Sequence, residues 1–269
     1  MFKGKEKYSD DIKPYVKDIF VFEEKDSKIK TSLPFFADGY PGIIFCVSSN
    51  GLFLKHKNKR LSEFFLYGQT INPIELYVEG AYKMIVFQML PSAVRILLGV
   101  EPKILNDDCY DLTQLSETIN QRSVECLNKT NNTKEQVKIV SKYLTHIIEK
   151  STLNTDKSIV LAINIVLQCK GKITVTELRK KLFLTERTLE RRFVKEIGVT
   201  PKIFCKIIQF QNSLIQISDN ENNRMIDVAY ENGFSDQSHF IKTFKKYAGV
   251  TPSEFQYLPA LANFLQTTD

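Results

Sequence analysis

Two stretches of this chain, about fifty residues apart, repeat one arrangement of apolar and polar positions, and that repeat constrains the fold more than any other feature. In the first, Thr174 and Glu177 have the spacing of a capping box, and Ile173 with Leu178 that of a hydrophobic staple, so a helix starts there. A second start follows at Thr185, with Leu184 and Leu189 as its staple. From Thr185 onward Leu189 and Phe193 fall on one helical stripe, while Arg187, Glu190, Arg191 and Val194 point the other way. In the second stretch Met225–Asn232 reads as a short amphipathic helix carrying Val228 and Ala229. Gly233 then stands where a helix-ending left-handed turn wants glycine, and Ser235 or Asp236 caps a new helix. The inner stripe of that helix is Phe240 and Phe244; its outer face carries Ser238, Ile241, Lys242 and Lys245, with Gln237 near the entrance. Phe240 and Phe244 match Leu189 and Phe193, so the two outer faces correspond position by position.

Charge falls on the same region. Between Lys157 and Gln256 there are 16 Lys and Arg against 10 Asp and Glu, which accounts for the whole net charge of +6. A basic segment is usually a solvated face, and two such hairpins could be ordinary helical pairs. Coincidence of the duplicated unit with the basic segment favours nucleic acid instead. Physically, one helix of each pair braces the other, whose outer face enters a major groove that admits a single helix. Arg, Gln, Ser and Lys on that face can donate to base edges or phosphates, and Ile can touch a thymine methyl. Lys245, nearer the helix exit, is expected at phosphate.

The motifs then carry a resemblance. Thr185-Glu-Arg-Thr-Leu-Glu-Arg-Arg-Phe193 followed by Gly198-Val-Thr-Pro201 resembles the first unit of the AraC/XylS family of bacterial transcription regulators. Asp227-Val-Ala229, Gly233-Phe-Ser-Asp-Gln-Ser-His-Phe240, Phe244-Lys-Lys and Gly249-Val-Thr-Pro252 resemble its second unit. The resemblance covers about residues 159–256 and implies two helix-turn-helix units joined by a linker helix from about Pro201 to Ser218. It implies base contacts from Arg187, Glu190 and Arg191 in the first unit and from Gln237, Ser238, Ile241 and Lys242 in the second. Departures are Arg179 at a position usually alanine, Phe183 where the turn commonly has glycine, Gln209 where the linker often has arginine, and Gln256 in place of a frequent terminal arginine.

The preceding chain reads differently. Short apolar runs at Ile19–Phe22, Ile43–Val47, Leu52–Lys55, Phe64–Tyr67, Ile74–Val78 and Met84–Leu90 alternate with turn residues such as Asp38-Gly39 and Asn50-Gly51, which predicts a small barrel or curled sheet. Pro91-Ser92-Ala93 opens a short helix ending near Gly99. Leu33-Pro34, Asp38-Gly39-Tyr-Pro41, Ile43-Ile-Phe45, Tyr67-Gly68-Gln69 and that helix are similar to a sensor-like domain found ahead of this DNA-binding module in some family members. Leu115, Ile119, Val124 and Leu127, then Val137, Val140, Leu144 and Ile147, mark two further helices around a loop at 128–132. The expected architecture is α+β: a β-rich, barrel-like sensing or dimerising domain over 1–110, a helical connector over 111–153, and an all-α double helix-turn-helix over 154–259.

Other chemistries find little support. His56, His146 and His239 form no metal-ligand pattern, and no nucleophile elbow, Walker A or dinucleotide glycine motif occurs. The five scattered cysteines suggest reduced thiols, with packing rather than redox roles. The aromatic residues of the β region, Phe35, Phe36, Tyr40, Phe45, Phe64 and Phe65, could line an apolar pocket, but fit a packed core better. No apolar run approaches the roughly 18 residues of a membrane helix, and the N-terminal Met-Phe-Lys-Gly-Lys-Glu-Lys lacks the apolar core of a signal peptide. The expectation is a cytoplasmic regulator without catalysis, cofactor or metal. Its expected partners are double-stranded DNA and no membrane, with a small-molecule effector, RNA polymerase and a second copy of the chain as further candidates. The rival is a small-molecule-binding or enzymatic β-barrel whose C-terminal module mediates protein contacts.

Overall fold

The computed structural model describes residues 2–99, 101–114, 117–219 and 224–256. Leu115 and the end of the expected C-terminal domain at 257–259 lie outside the described residues, as does the side chain of Ile119. The chain opens with β1 (Phe2–Lys5), β2 (Val16–Glu24), β3 (Lys30–Phe35), β4 (Gly42–Ser48), β5 (Leu52–Leu54), β6 (Lys59–Leu61), β7 (Phe64–Tyr67), β8 (Ile74–Glu79) and β9 (Tyr82–Met89). After α1 (Ala93–Leu98), a short 3-10 turn at Pro102–Leu105 and β10 (Cys109–Asp111), every remaining regular element among the described residues is helical: a 3-10 turn at Leu112–Gln114, then α2 (Glu117–Asn128), α3 (Thr133–Lys150), α4 (Lys157–Gln168), α5 (Val175–Lys181), α6 (Glu186–Ile197), α7 (Pro201–Asp219), α8 (Met225–Glu231), α9 (Gln237–Ala248) and α10 (Pro252–Gln256).

The strands form two antiparallel sheets, one in the order β1-β2-β9-β4-β7-β10 and one in the order β3-β8-β5-β6. They do not close into a barrel. Instead the smaller sheet covers one face of the larger, and the period-two alternation of a strand sorts its residues between two cores. Phe20, Phe22, Ile44, Cys46, Phe65, Tyr67 and Val86 meet Leu33, Leu52, Leu54, Leu76 and Val78 between the sheets. Their neighbours Ile19, Val21, Ile43, Phe45, Phe64, Leu66, Ile85 and Phe87 face the other way, onto Val94 and Leu97 of α1 and Val137, Val140, Tyr143 and Leu144 of α3. The large sheet is therefore covered on both sides, and α3 is part of its core. Phe35, Phe45, Phe64 and Phe65 are all buried in these layers.

The opposite side of α3 carries Lys134, Lys138, Lys142 and His146 at four-residue spacing. With Lys7 and Tyr8 they line an open groove of about 610 Å³, whose carboxylates are Asp11 and Glu149. Of the cysteines, Cys46, Cys109 and Cys205 are buried and free, and burial pushes each thiol up to about 12, so none carries thiolate near neutrality.

In the helical half α7 serves two cores. Phe204, Cys205 and Ile208 join Leu178, Leu189, Phe193 and Ile197 of the first unit. Ile207, Phe210, Leu214 and Ile217 join Val228, Phe240, Phe244 and Tyr247 of the second, with Phe36 and Ala37 from the β-rich half. Phe36 meets Phe255 edge-on at 6.0 Å, and Gln211 donates to the Ala37 carbonyl at 2.6 Å. No helix among the described residues is long and apolar enough to cross a membrane.

Candidate nucleic-acid interface

Each unit is built by local signals that hold an outward helix still. In the first, the Thr174 hydroxyl accepts from the Glu177 N–H at 3.1 Å and Glu177 accepts from the Thr174 N–H at 2.9 Å, the reciprocal box expected at the start of α5. The Thr174 N–H, and after it the Thr174 hydroxyl at 2.7 Å, donate to the Glu177 carboxyl and hold it below its usual range. Thr185 then caps α6, accepting from the Thr188 N–H at 3.2 Å. In the second unit Asp236, rather than Ser235, caps α9: it accepts from the His239 N–H at 2.7 Å. That backbone bond, with one from the Ser235 hydroxyl, lowers the Asp236 pKa. Both outward helices end on a left-handed glycine, Gly198 at φ 89° and Gly249 at φ 78°.

The turns between paired helices share one hydrogen-bond pattern. Phe183 N–H donates to Lys180 and Leu184 N–H to Arg179; fifty residues on, Gly233 donates to Tyr230 and Phe234 to Ala229. The backbone is left-handed in both, at φ 54° for Phe183 and 78° for Gly233. A phenylalanine thus occupies a conformation that favours glycine, and its ring is 96% exposed.

Arg187, Glu190 and Arg191 are exposed on α6, and Gln237, Ser238, Lys242 and Lys245 are exposed on α9. None of these charged side chains makes an ion pair among the described residues, so each charge is open to an outside partner. Ile241 differs: it is half-buried and packs against the core of the second unit, which leaves only part of it outward. Arg192, one position beyond Arg191, turns back to Asp156 at 3.4 Å and braces α6 on the start of α4. His239 is engaged by Ser235 at 3.2 Å and lies edge-on to Phe234 at 5.6 Å. Inside, Leu189, Phe193, Phe240 and Phe244 are fully buried, the inner stripe the periodicity predicts.

Residues that join the halves carry no sequence signal. Arg95 of α1 forms an ion pair with Glu196 of α6, the side chains being 17% and 4% exposed. Asn106 donates to the Gly198 carbonyl at 2.9 Å. An isolated arginine on a short helix and an asparagine in a turn fit no periodicity, so only the tertiary arrangement reveals them.

A braced helix with an exposed polar face, built twice around a shared linker helix, is a double helix-turn-helix module. Residues 178–257 match the family model of the helix-turn-helix domain, and residues 9–111 match a domain of unknown function, DUF6597. The chain is 32% identical over 80 residues to the HTH-type transcriptional activator RhaS of Mannheimia succiniciproducens, covering 30% of each chain. It is 25% identical over 107 residues to the uncharacterized HTH-type transcriptional regulator SAS0078 of Staphylococcus aureus, covering 40% of this chain and 14% of that one. The match therefore spans less than a third of the length of these curated relatives. The crystal structure of ToxT from Vibrio cholerae is similar with a TM-score of 0.49 at 14% identity, covering 89% of this chain and 97% of that one. Residues 178–257 thus carry a helix-turn-helix domain, with a distinct domain ahead of it.

Proposed function

We propose that this chain is a sequence-specific DNA-binding transcription regulator of the AraC type, with α6 and α9 as its recognition helices. The observation that carries this is the matched pair of exposed, unpaired polar faces, Arg187, Glu190 and Arg191 on one helix and Gln237, Ser238 and Lys242 on the other. The two helices enter successive major grooves about 34 Å apart. Arg187 and Arg191, one turn apart, address guanine acceptors; Gln237, Ser238, Ile241 and Lys242 read the second site, Glu190 accepts from a base amine, and Lys245 holds phosphate. Ammonium and guanidinium groups supply affinity and salt dependence, while the outer faces supply discrimination. The β-rich half binds a small-molecule effector without turning it over, and its docking on α6 and α9 gives that event a route to DNA affinity. Contact with RNA polymerase, pairing with a second copy and a cytoplasmic location complete the same reading.

Binding titrations on single-base operator variants at two salt concentrations test it. Arg191→Ala should cost about 1–3 kcal/mol and relax preference at one or two base pairs of the first half-site, whereas Lys245→Ala should weaken all sequences alike and lower the salt slope by about one. Indistinguishable profiles for the two variants would refute the division of roles. Failure of the full chain to retard any duplex at low salt would refute DNA binding itself.

A further inference from the structure

The two outward helices end beside two pieces of the β-rich half, of which Ile71 also packs on the core of the first unit. At the exit of α6, the position a Cβ would take on Gly198 lies 2.9 Å from the Lys103 nitrogen and 2.9 Å from the Pro102 carbonyl carbon, and Asn106 holds the Gly198 carbonyl. At the exit of α9, the same position on Gly249 lies 3.5 Å from the Pro73 ring. Within the helical half, α6 and α9 are joined through α7, on which both pack. The β-rich half therefore supplies a second brace, provided that residues 71–73 and 102–106 are fixed relative to each other.

Beside the pairing of β7 with β10, one side chain ties them. Asp107 Oδ1 accepts from the Ile71 N–H at 2.6 Å and the Asn72 N–H at 3.0 Å, and Oδ2 accepts from Asn72 Nδ2 at 2.7 Å. The Asp107 N–H donates to the Gln69 carbonyl at 3.0 Å. Asp107 holds this posture at φ 55°, a left-handed conformation that costs a non-glycine residue energy. Gly68, between the two segments, has no room for a side chain: a Cβ would lie 2.3 Å from the Leu105 carbonyl oxygen. We propose that Asp107 is a positioning residue that sets the separation of the two recognition helices, by tying the segment that meets Gly198 to the segment that Gly249 approaches, and so sets how strictly the protein measures the spacing between its half-sites. The proposal rests on the DNA-binding reading above for its second clause only.

Two measurements test the two clauses separately. Spin labels at Lys195→Cys and Lys246→Cys, exposed positions on α6 and α9, report the separation of the helices in the free full-length protein carrying Cys126→Ser and Cys169→Ser. A single narrow distance distribution is expected with Asp107 in place and a broader one with Asp107→Ala. Asp107→Asn, which tolerates the left-handed backbone and loses one acceptor, should widen it less and serves if the alanine variant folds poorly. An unchanged distribution in both variants overturns the proposal. Duplexes with zero, one or two base pairs inserted between the preferred half-sites then read the second clause. The parent protein should lose affinity at least tenfold per inserted pair, and Asp107→Ala should flatten that profile at least threefold while keeping single-base preferences within each half-site. A uniform loss at every spacing would mark Asp107 as merely structural and overturn the second clause. Broadened distances without any sequence preference in the parent would instead remove the DNA-binding reading and leave the brace standing.

Discussion

Replacing Phe183 by glycine should stabilise the protein, against the usual direction for removing a large apolar residue. The ring is 96% exposed, so its loss uncovers almost no buried surface. What it removes is a side chain from a left-handed backbone at φ 54°, worth about 1–2 kcal/mol. Glycine returns about 0.5–1 kcal/mol of that through the greater freedom of the unfolded chain. The net gain is about 0.5–1 kcal/mol, a rise of roughly 1–4 °C in calorimetric melting temperature for a chain of this size. Phe183→Ala is the control: it deletes the ring but keeps the strain, and should stay within about 0.5 kcal/mol of the parent. The mirror experiment is Gly233→Ala, which imposes the same strain at φ 78° and brings a Cβ to 2.9 Å from Lys172 Cγ, for a loss of at least about 1–2 kcal/mol. A lowered melting temperature for Phe183→Gly, matched by Phe183→Ala, would refute the reasoning, because the ring would then be packed against something in solution.

Arg95→Met should cost about 3–5 kcal/mol by stranding the Glu196 carboxylate, which is 4% exposed, and adding Glu196→Leu should recover most of the loss. A single-variant cost under about 1 kcal/mol in urea unfolding would mean that the halves do not dock through this pair. Burial lifts the Asp38 carboxyl to about 6, so the folded chain holds a proton that an unfolded aspartate, near 3.9, has lost; stability should fall as pH rises from about 4 to 6 and stay lower above. Asp38→Asn should abolish that slope and stabilise by up to about 3 kcal/mol above pH 6, once the Gln88 amide, whose Nε2 now donates to Asp38, turns over to present its unpartnered Oε1. Urea midpoints between pH 4 and 7 decide, and a slope that survives the substitution counts against the assignment.

The helical half was legible because its determinants are local. Thr174, Thr185 and Gly233 act within a turn of themselves, and the stripe through Leu189 and Phe193 needs only a period. The β-rich half was legible in its interior strands and not at its rims. The strands that the apolar runs did not mark, β1, β3, β6 and β10, are the four sheet edges. Edges carry what a propensity reading rejects: Pro34 in β3, Lys59 and Arg60 in β6. Of the small barrel or curled sheet that the runs predict, the open form is found, as two sheets, because closure depends on partners far apart in the chain, as when β2 pairs with β9. In the candidate interface, periodicity placed Arg187, Arg191 and Lys242 outward, but Ile241 sits on the border between faces, and its half-burial follows from the packing of α9. Asp107 could not be found that way, since its partners Ile71 and Asn72 precede it by more than thirty residues.

The row of Lys134, Lys138, Lys142 and His146 along α3 has a consequence for assembly. A two-fold axis beside that face would lay the row against its own image, ammonium to ammonium. Two such charges 4 Å apart repel by about 1 kcal/mol in bulk water and about 4 kcal/mol near a protein surface, and several meet at once. Pairing of two copies through α3 would therefore require Asp11 and Glu149 of one copy to face the lysine row of the other, or anions to fill the seam.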